Sequence, residues 1–475
     1  MQQNFNLFAS WNSCLLLDEY LWGSAKTNQN LLKLCPIERK MAYLVDNKKR
    51  QHLFLEENYW KTLEKWCSDN ENNIELFRRV FNRFNEKADL VKRKVDKLTR
   101  VKPHGLSDEE LVNLVIKTRD EIKEITPFDQ FGMMTSAIFL EKLTKVLNSD
   151  KIGVATMPPW LSTTLKEELD MVTTTLQIME KENHGINAEE ISKKYSKELS
   201  TLAEKHGFIP VFLFNPPWDE NHYTEEISSE IKKGREKITA RINELKNFEE
   251  NTRKENEAAT QGVESHVPEI IRILSFTRNE AELVLSYCQY KLQPFYKEIC
   301  KRLRISTNQL RHYTENELKS ALLQGKADEE MLNRRIAEGV GNYTDAKTER
   351  LLTKEEFDQL LKLTGGETKA AVKMLCAFPG KASGKVRIVK DNDDVKNFKD
   401  GEVLVSLWTC IDYLPAMKKA SAFITEGGGI TSHAAVIARE FKVPCIIGYK
   451  NATKVFKNGE EIEIDAGNLK IEKKN

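Results

Sequence analysis

The amino-acid sequence predicts a multidomain protein, with a large and mostly α-helical amino-terminal region followed by a small α/β domain. Two observations support this fold class. Through the first 360 or so residues, apolar side chains recur at steps of three and four, which is the period of a helix with one buried face. After that point the sequence contains short apolar and β-branched runs between turn residues, as strands do. The change of period predicts a boundary near residue 364.

The composition is that of a globular protein with room for two or three domains. Of the 475 residues, 40% are hydrophobic and 31% are charged, and 73 Lys and Arg against 72 Asp and Glu give a formal net charge of +1. This balance gives no reason to expect nucleic acid or a membrane surface as a partner. The first 24 residues lack the segments of a signal peptide, and no apolar run is long enough to cross a bilayer, so a cytoplasmic location is predicted.

The eight cysteines are scattered along the chain, without a Cys-x-x-Cys pair or a Cys/His pair at zinc spacing. Most have apolar neighbours, as buried thiols do. The sequence therefore predicts neither a disulfide nor a metal site in this chain.

The best-defined helix of the amino-terminal region spans residues 76–98. Its apolar residues form one stripe with charge opposite: Leu76, Val80, Phe84, Ala88, Val91, Val95 and Leu98. Three further helix starts have the spacing of a capping box: Ser107 with Glu110, Asn187 with Glu190, and Thr314 with Glu317. Prolines between such segments predict several packed helices, and a break near 210–220 could divide residues 1–363 into two subdomains.

Aromatic residues are concentrated in residues 11–22 and 208–218. They could line a pocket for an organic substrate together with Tyr20, His206 or Trp218, or they could belong to the core, which is the commoner role of such residues. The glycine after His206 predicts a helix end, and a histidine in a last helical turn is favoured by the helix dipole alone. His206 therefore needs no catalytic role.

The α/β domain is predicted at residues 381–475, after a linker at residues 364–380. Its predicted strands are 385–389, 402–406, 422–425, 445–448, 461–465 and 469–472, and its predicted helices are 413–420 and 432–441. This domain contains the most distinctive motif of the chain.

The motif is TEGGGITSHAAVIARE at residues 425–440, which places three glycines and a Thr-Ser pair before His433. Glycines allow the backbone to approach a ligand closely, and free N–H groups at a helix start favour an anion. Thr431 or Ser432 can cap the helix, and a neutral imidazole can form a covalent intermediate. The same pattern suits a glycine-rich turn before a helix whose first histidine is merely exposed. The local pattern leaves both interpretations open.

Several segments of this domain, in order along the chain, resemble the mobile phosphohistidine domain of enzymes that use or make phosphoenolpyruvate (PEP). Besides the motif they are 379–389, 400–405, 417–425, 443–448 and 458–467. The resemblance implies a swivelling domain in which His433 carries a phosphoryl group. It also implies that Thr431, Ser432 and the backbone of Gly428 and Gly429 surround that group, and that Thr409 belongs to the same site.

Arg439 is also matched in that family. It lies six residues beyond His433, which at 3.6 residues per turn places it on a different face of the helix. It could reach a substrate phosphate from the side, or it could pair with Glu440 or another acid as part of the structure. The sequence leaves both roles open.

Residues 288–335 are similar to the helical segment that precedes this domain in rifampin phosphotransferase and archaeal-type phosphoenolpyruvate synthases. The similarity implies that residues 1–363 hold a small-molecule acceptor. The sequence shows no Walker-type or ATP-grasp-like phosphate loop, and the 42 residues after His433 are too few for a PEP-binding barrel of roughly 200 or more. The resemblance therefore implies an ATP-grasp partner on a separate chain, which would bind ATP and Mg²⁺. This chain itself is expected to bind no cofactor or metal.

Three hypotheses remain. The first is a dikinase-type phosphotransferase subunit, which the partner phosphorylates at His433 with the β-phosphate of ATP and which passes the group to a small organic acceptor. The second has the same chemistry with pyruvate as the acceptor and PEP as the product. The third is a non-catalytic phosphocarrier or regulatory protein that keeps the fold.

Overall fold

A computed structural model describes residues 5–12, 33, 35, 37, 41–45, 50–182, 185–213, 216–345, 347–365 and 374–474. The predicted fold class is confirmed, since a large and mainly helical region precedes a small α/β domain. None of the helices in these ranges combines the length and the apolar character needed to cross a membrane.

Helices make up most of the amino-terminal region. The first are α1 (Glu57–Asn70), α2 (Ile74–Leu98), α3 (Asp108–Ile122), α4 (Thr126–Leu143), α5 (Ser149–Ala155), α6 (Thr163–Lys181), α7 (Ala188–Lys194) and α8 (Ser196–His206). The others are α9 (Glu220–Lys233), α10 (Arg235–Lys246), α11 (Phe248–Ala259), α12 (Val267–Leu303), α13 (Thr307–Leu310), α14 (Glu315–Gln324), α15 (Glu329–Glu338) and α16 (Lys354–Leu361). The capping boxes predicted at Ser107, Asn187 and Thr314 are all present.

Two long helices organise this region. The stripe predicted for α2 is buried at Val80, Phe84, Ala88, Val91 and Val95, although Ile74 and Phe77 rather than Leu76 begin it and Leu98 is only half-buried. Helix α12 is 37 residues long, is buried on several sides, and packs against both α2 and α4. This helix also contacts the helix that begins at His433 in the α/β domain.

The prediction of helix from the start of the chain to about residue 360 is wrong at five strands, which form one antiparallel sheet. They are β1 (Phe5–Asn12), β2 (Met41–Val45), β3 (Arg50–Glu56), β4 (Val340–Thr344) and β5 (Glu349–Leu351), in the order β1-β3-β2-β4-β5. Ala42 and Leu44 of β2 face a small core that includes Tyr343 of β4. Strands β2 and β4 lie at opposite ends of the region, so the sequence of one gives no indication that it pairs with the other. Both are short, and the helical pattern around them determined the prediction.

The α/β domain is built on a seven-stranded sheet of order β12-β11-β7-β8-β9-β10-β6. Its strands are β6 (Leu375–Phe378), β7 (Lys381–Ile388), β8 (Val403–Ser406), β9 (Ala422–Thr425), β10 (Cys445–Ile447), β11 (Glu461–Asp465) and β12 (Lys470–Lys473). Its helices are α17 (Asn392–Lys396), α18 (Leu414–Lys419), α19 (His433–Glu440) and α20 (Ala452–Val455). All six predicted strands and both predicted helices are present. Strands β7 to β10 pair in parallel, and the outer strands pair antiparallel.

The predicted linker contains one more strand. Residues 375–378 form β6, which pairs with β10 at the edge of the sheet. Residues 366–373 lie outside the described part of the chain. The boundaries at 363, 364–380 and 381 therefore remain predictions.

The sheet of the α/β domain has two apolar faces. Val403 and Val405 of β8 face a core inside the domain. Leu404, which points to the opposite face, belongs with Phe423 of β9 to a core that continues into the helical region. The two regions therefore share one buried core, and the motif lies at this contact.

Candidate functional site

The motif forms a loop between β9 and α19 that ends at His433, the first residue of the helix. Ser432 is the N-cap, and its Oγ accepts a hydrogen bond of 3.4 Å from a backbone N–H in the first helical turn. Gly428 has a φ of +106°, and a Cβ there would lie 2.8 Å from Ser432 Oγ. At Gly427 a Cβ would overlap the ring of Trp408, at 2.3 Å. The fold of the loop itself requires these glycines, so they do not by themselves indicate a ligand.

His433 is almost fully buried, with 6% of its surface exposed. Its Nδ1 lies 3.3 Å from Thr409 Oγ1, and its Nε2 is buried without a hydrogen-bond partner among the described residues. Burial, assisted by the positive charge of Arg278, lowers the pKa of His433 to about 3. The imidazole is therefore neutral near pH 7, as a nucleophile must be. The interpretation of a merely exposed histidine is wrong.

The helical region contacts the loop through Ser136 of α4 and Arg278 of α12. Arg278 Nη1 donates a hydrogen bond to the backbone oxygen of Thr431 at 2.6 Å. Ser136 Oγ lies 2.5 Å from Thr431 Oγ1 in a second, buried hydrogen bond. The His433 site is therefore formed by both regions of the chain.

Two carboxyl groups contact Arg278 on the helical side. Asp129 Oδ1 of α4 is 3.3 Å from Arg278 Nε, and Glu282 Oε1, one turn along α12, is 3.5 Å from Arg278 Nη2. Burial, reinforced by Glu282, raises the pKa of Asp129 to about 8, although Arg278 opposes the shift. Burial likewise raises the pKa of Glu282. The pair therefore retains a proton at pH 7.

Asp129, Arg278 and Glu282 were not predicted from the sequence as site residues. A signal was present for Asp129, because it is the one charged residue in the run 126–140 and that run forms a buried helix. Arg278 and Glu282 have the spacing of an ordinary pair on a helix surface, and nothing in the sequence marks them as buried.

The other predicted residues shape the loop. Gly429 accepts a hydrogen bond from the Ser432 N–H at 2.9 Å. Arg439 is fully buried, and its Nη1 donates to the backbone oxygen of Ile430 at 2.6 Å. Burial lowers the pKa of Arg439 to about 10. Of its two predicted roles the structural one agrees better with these contacts, although the partner is a backbone oxygen and not an acid.

The predicted aromatic pocket is only partly described. Trp218 is buried and stacks on His222 at 4.3 Å between ring centres, which agrees with the core interpretation. Tyr20 and most of residues 11–22 lie outside the described residues. His206 is the last residue of α8, before the glycine cap, as predicted.

Further contacts hold the α/β domain on the helical region. The buried Glu167 of α6 accepts a hydrogen bond from Lys418 Nζ at 2.9 Å. On the same helix, Thr164 Oγ1 donates to Glu440 at 2.7 Å. Burial raises the pKa of Glu440 to about 7, since the hydrogen bond from Thr164 only partly offsets it. The contact therefore includes both an ion pair and a carboxyl group that titrates near neutrality.

The site offers no evident metal ligands. Within the described ranges, no group of three or more His, Cys, Asp or Glu side chains is arranged to hold a metal. Asp129 and Glu282 each form an ion pair with Arg278.

Comparison with known proteins assigns the α/β domain. Residues 398–468 match the family described as PEP-utilising enzyme, mobile domain. The chain is 45% identical over 94 residues to a probable phosphoenolpyruvate synthase of Methanothermobacter thermautotrophicus, covering 20% of this chain and 14% of that protein. It is 41% identical over 99 residues to the phosphoenolpyruvate synthase of Pyrococcus furiosus, covering 21% and 12%. For the phosphoenolpyruvate synthase of Neisseria meningitidis serogroup B the identity is 47% over 81 residues, covering 17% and 10%.

The chain thus spans only 10–14% of the length of these three relatives, so the likeness concerns one domain. The resemblance inferred from the ordered segments is confirmed for that domain. The segment that carries Thr409, Thr431 and His433 is a PEP-utilising enzyme mobile domain.

Proposed function

We propose that this chain is a dikinase-type phosphotransferase subunit, in which His433 accepts a phosphoryl group and passes it to a small organic acceptor at the helical region. The observation that carries the proposal is the position of His433. A neutral imidazole, whose Nε2 has no hydrogen-bond partner within the described part of the chain, lies beside Arg278, which contacts Thr431 of the mobile domain and both Asp129 and Glu282 of its own region.

Nε2 is the proposed phosphoryl carrier. Thr409 Oγ1 lies 3.3 Å from Nδ1 and can accept a hydrogen bond from an Nδ1–H group. We propose this tautomer for the reactive state, because it leaves the lone pair on Nε2. The phosphorylated atom is then the ring nitrogen to which no described residue makes a hydrogen bond.

The transfer step uses the charged groups of the helical region. The N–P bond of the phosphohistidine breaks and its electron pair returns to Nε2, while an acceptor hydroxyl forms the new O–P bond. The hydroxyl proton passes to the carboxyl pair of Asp129 and Glu282. Arg278 neutralises charge on the moving phosphoryl group, and one such stabilising group is worth roughly 10²–10³ in rate.

Charging of His433 needs a different position of the domain. Because the imidazole is 6% exposed against the helices, a phosphate donor cannot reach it until the mobile domain moves away. We assign the donor to an ATP-grasp partner on a separate chain, which would bind ATP and Mg²⁺. The proposed hinge is the linker at 364–380.

The first experiment tests His433 itself. The chain is incubated with [β-³²P]ATP and a candidate ATP-grasp protein, and acid-labile, base-stable label is measured. We expect label on the wild type and on a His312→Ala control, and none on His433→Ala. Equal labelling of His433→Ala would contradict the proposal. A screen of hydroxylated aromatics, antibiotics and pyruvate then identifies the acceptor.

A second candidate is favoured by the names of the relatives. All three are called phosphoenolpyruvate synthases, so the labelled chain could transfer phosphate to pyruvate. Formation of PEP, followed by ³¹P NMR, would select this function. A chain that labels but transfers to none of the compounds would instead support the phosphocarrier alternative.

A further inference from the structure

A separate cavity of about 330 Å³ opens on the helical region, between α2, α6, α8 and α12. This volume lies within the range of small-molecule sites. Its apolar wall includes Leu169, Phe208 and Tyr287, and Phe208 meets Tyr287 edge to face with ring centres 5.3 Å apart. A planar apolar group of a ligand could therefore pack against this wall of the cavity.

The residues that line the cavity include more positive than negative side chains, and the one carboxylate among them is Asp170. Lys205 Nζ and His206 Nε2 both contact Asp170, at 2.5 and 2.6 Å. Burial lowers the pKa of His206, although Asp170 opposes the shift, so the ring adds little positive charge at pH 7. Asp170 is therefore already satisfied by its two neighbours.

Two further ammonium groups line the cavity without a carboxylate. Neither Lys92 nor Lys166 has an ion pair with a described residue, and Lys92 only approaches the ring of Tyr287, at 5.8 Å from its centre. The hydroxyl of Tyr287 donates to Asp96 outside the cavity lining, at 2.5 Å. The cavity thus carries excess positive charge beside its apolar wall.

We propose that this cavity binds a small planar organic anion, with a carboxylate or phosphate against Lys92 and Lys166 and a flat apolar body against Phe208 and Tyr287. The apolar wall and the two lysines that pair with no carboxylate of the described residues together determine the ligand class, because neither an inorganic anion nor a neutral ring uses both.

This site is distinct from the His433 site and goes beyond the proposed phosphotransfer. Tyr287 and Glu280 are seven residues apart and share one face of α12, and Glu280 binds Thr163 at the cavity. Arg278 and Glu282 lie two residues either side of Glu280, about 200° round the helix, on the face that meets the mobile domain. An occupant of the cavity therefore does not face His433.

The test is isothermal titration calorimetry on the full chain with four probes. Benzoate and phenyl phosphate carry both features, inorganic phosphate carries only charge, and benzyl alcohol carries only the ring. We expect the first two to bind at least about tenfold more tightly than the last two, because each of those lacks one half of the recognition. Equal binding of phosphate and phenyl phosphate, or no binding of benzoate and phenyl phosphate, overturns the proposal.

A double variant tests whether Lys92 and Lys166 bind the anionic group. Lys92→Met with Lys166→Met should weaken phenyl phosphate binding by about tenfold or more, since both cations that face the anion are lost. Lys97→Met, at an exposed position further along α2, is the control and should bind as the wild type does. Thermal unfolding checks that the double variant is folded. Unchanged binding by a folded double variant would place the ligand elsewhere and refute the assignment.

Discussion

The two sides of the His433 site differ in charge. Apart from Arg439, which binds the loop backbone at Ile430, the mobile domain contributes neutral groups, namely His433, Thr409 and Thr431. The helical region contributes Arg278 and the carboxyl pair that contacts it. A neutral imidazole can accept phosphate from any donor that reaches it. In the proposed transfer, the groups that stabilise charge and take up a proton reach the imidazole only when the two regions are in contact, as they are in this structure. We therefore expect contact between the two regions to control phosphoryl transfer from His433 to the acceptor. Phosphorylation of His433 itself should need only the mobile domain and a donor.

The largest effect is expected from breaking the contact between the two sides. Lys418→Met leaves the buried Glu167 without its partner, which costs about 3–5 kcal/mol for a buried pair. The domain should then undock and expose His433. Carbethoxylation of His433 by diethylpyrocarbonate, followed by mass spectrometry, should be faster than in the wild type. Lys419→Met is the control, and the same reactivity in both variants would mean that this pair does not hold the domain.

Removing the positive charge of Arg278 tests whether the helical region acts in transfer and not in phosphorylation of His433. Arg278→Met should slow phosphoryl transfer by roughly 10²–10³-fold, because the positive charge at the phosphoryl group is lost. Labelling of His433 by the proposed ATP-grasp partner should not change. Transfer is measured as loss of ³²P from the labelled chain to the screened acceptor, with the exposed Arg253→Met as control. A parallel loss of labelling would show that Arg278 also serves the charging step.

The carboxyl group of Glu440 makes the contact depend on pH. Its pKa is raised from 4.5 to about 7, so its contribution to stability is fully present below pH 4.5 and is lost as pH rises to about 7. Glu440→Gln should remove this loss and stabilise the chain by up to about 3 kcal/mol at pH 8, with little effect at pH 4.5. Thermal unfolding at both pH values measures it, with the exposed Glu249→Gln as control. A variant that is no more stable at pH 8 than at pH 4.5, relative to wild type, contradicts the assignment.

The smallest effect concerns the loop alone. Gly428→Ala forces alanine to adopt a φ of +106° and brings its Cβ to 2.8 Å from Ser432 Oγ. Gly459→Ala is a matched control, because φ there is +82° but no atom lies near the added Cβ. Each should lose about 1–2 kcal/mol from backbone strain, and Gly428→Ala somewhat more. Melting temperatures compare them, and equal losses would show that Ser432 moves aside without cost.

The amount that could be predicted from sequence differs between the regions. In the mobile domain, turn residues separate short strands, and the loop that holds His433 has its chemistry in consecutive residues. In the helical region, Asp129 and Arg278 become neighbours only because α4 packs on α12. The burial and the raised pKa of Asp129 are products of this packing, which no local pattern contains. The pairing of β2 with β4 was missed for the same reason.

That pairing has a consequence for the motion of the mobile domain. Strand β4 aligns with β2 from Val340 opposite Val45 to Thr344 opposite Met41, and β5 and α16 follow it before the predicted linker. The segment that precedes the predicted linker therefore belongs to a sheet whose other three strands come from the first 56 residues. If the proposed motion occurs, we expect a truncation that removes those residues to loosen the attachment of the linker, although it would delete no residue of the His433 site.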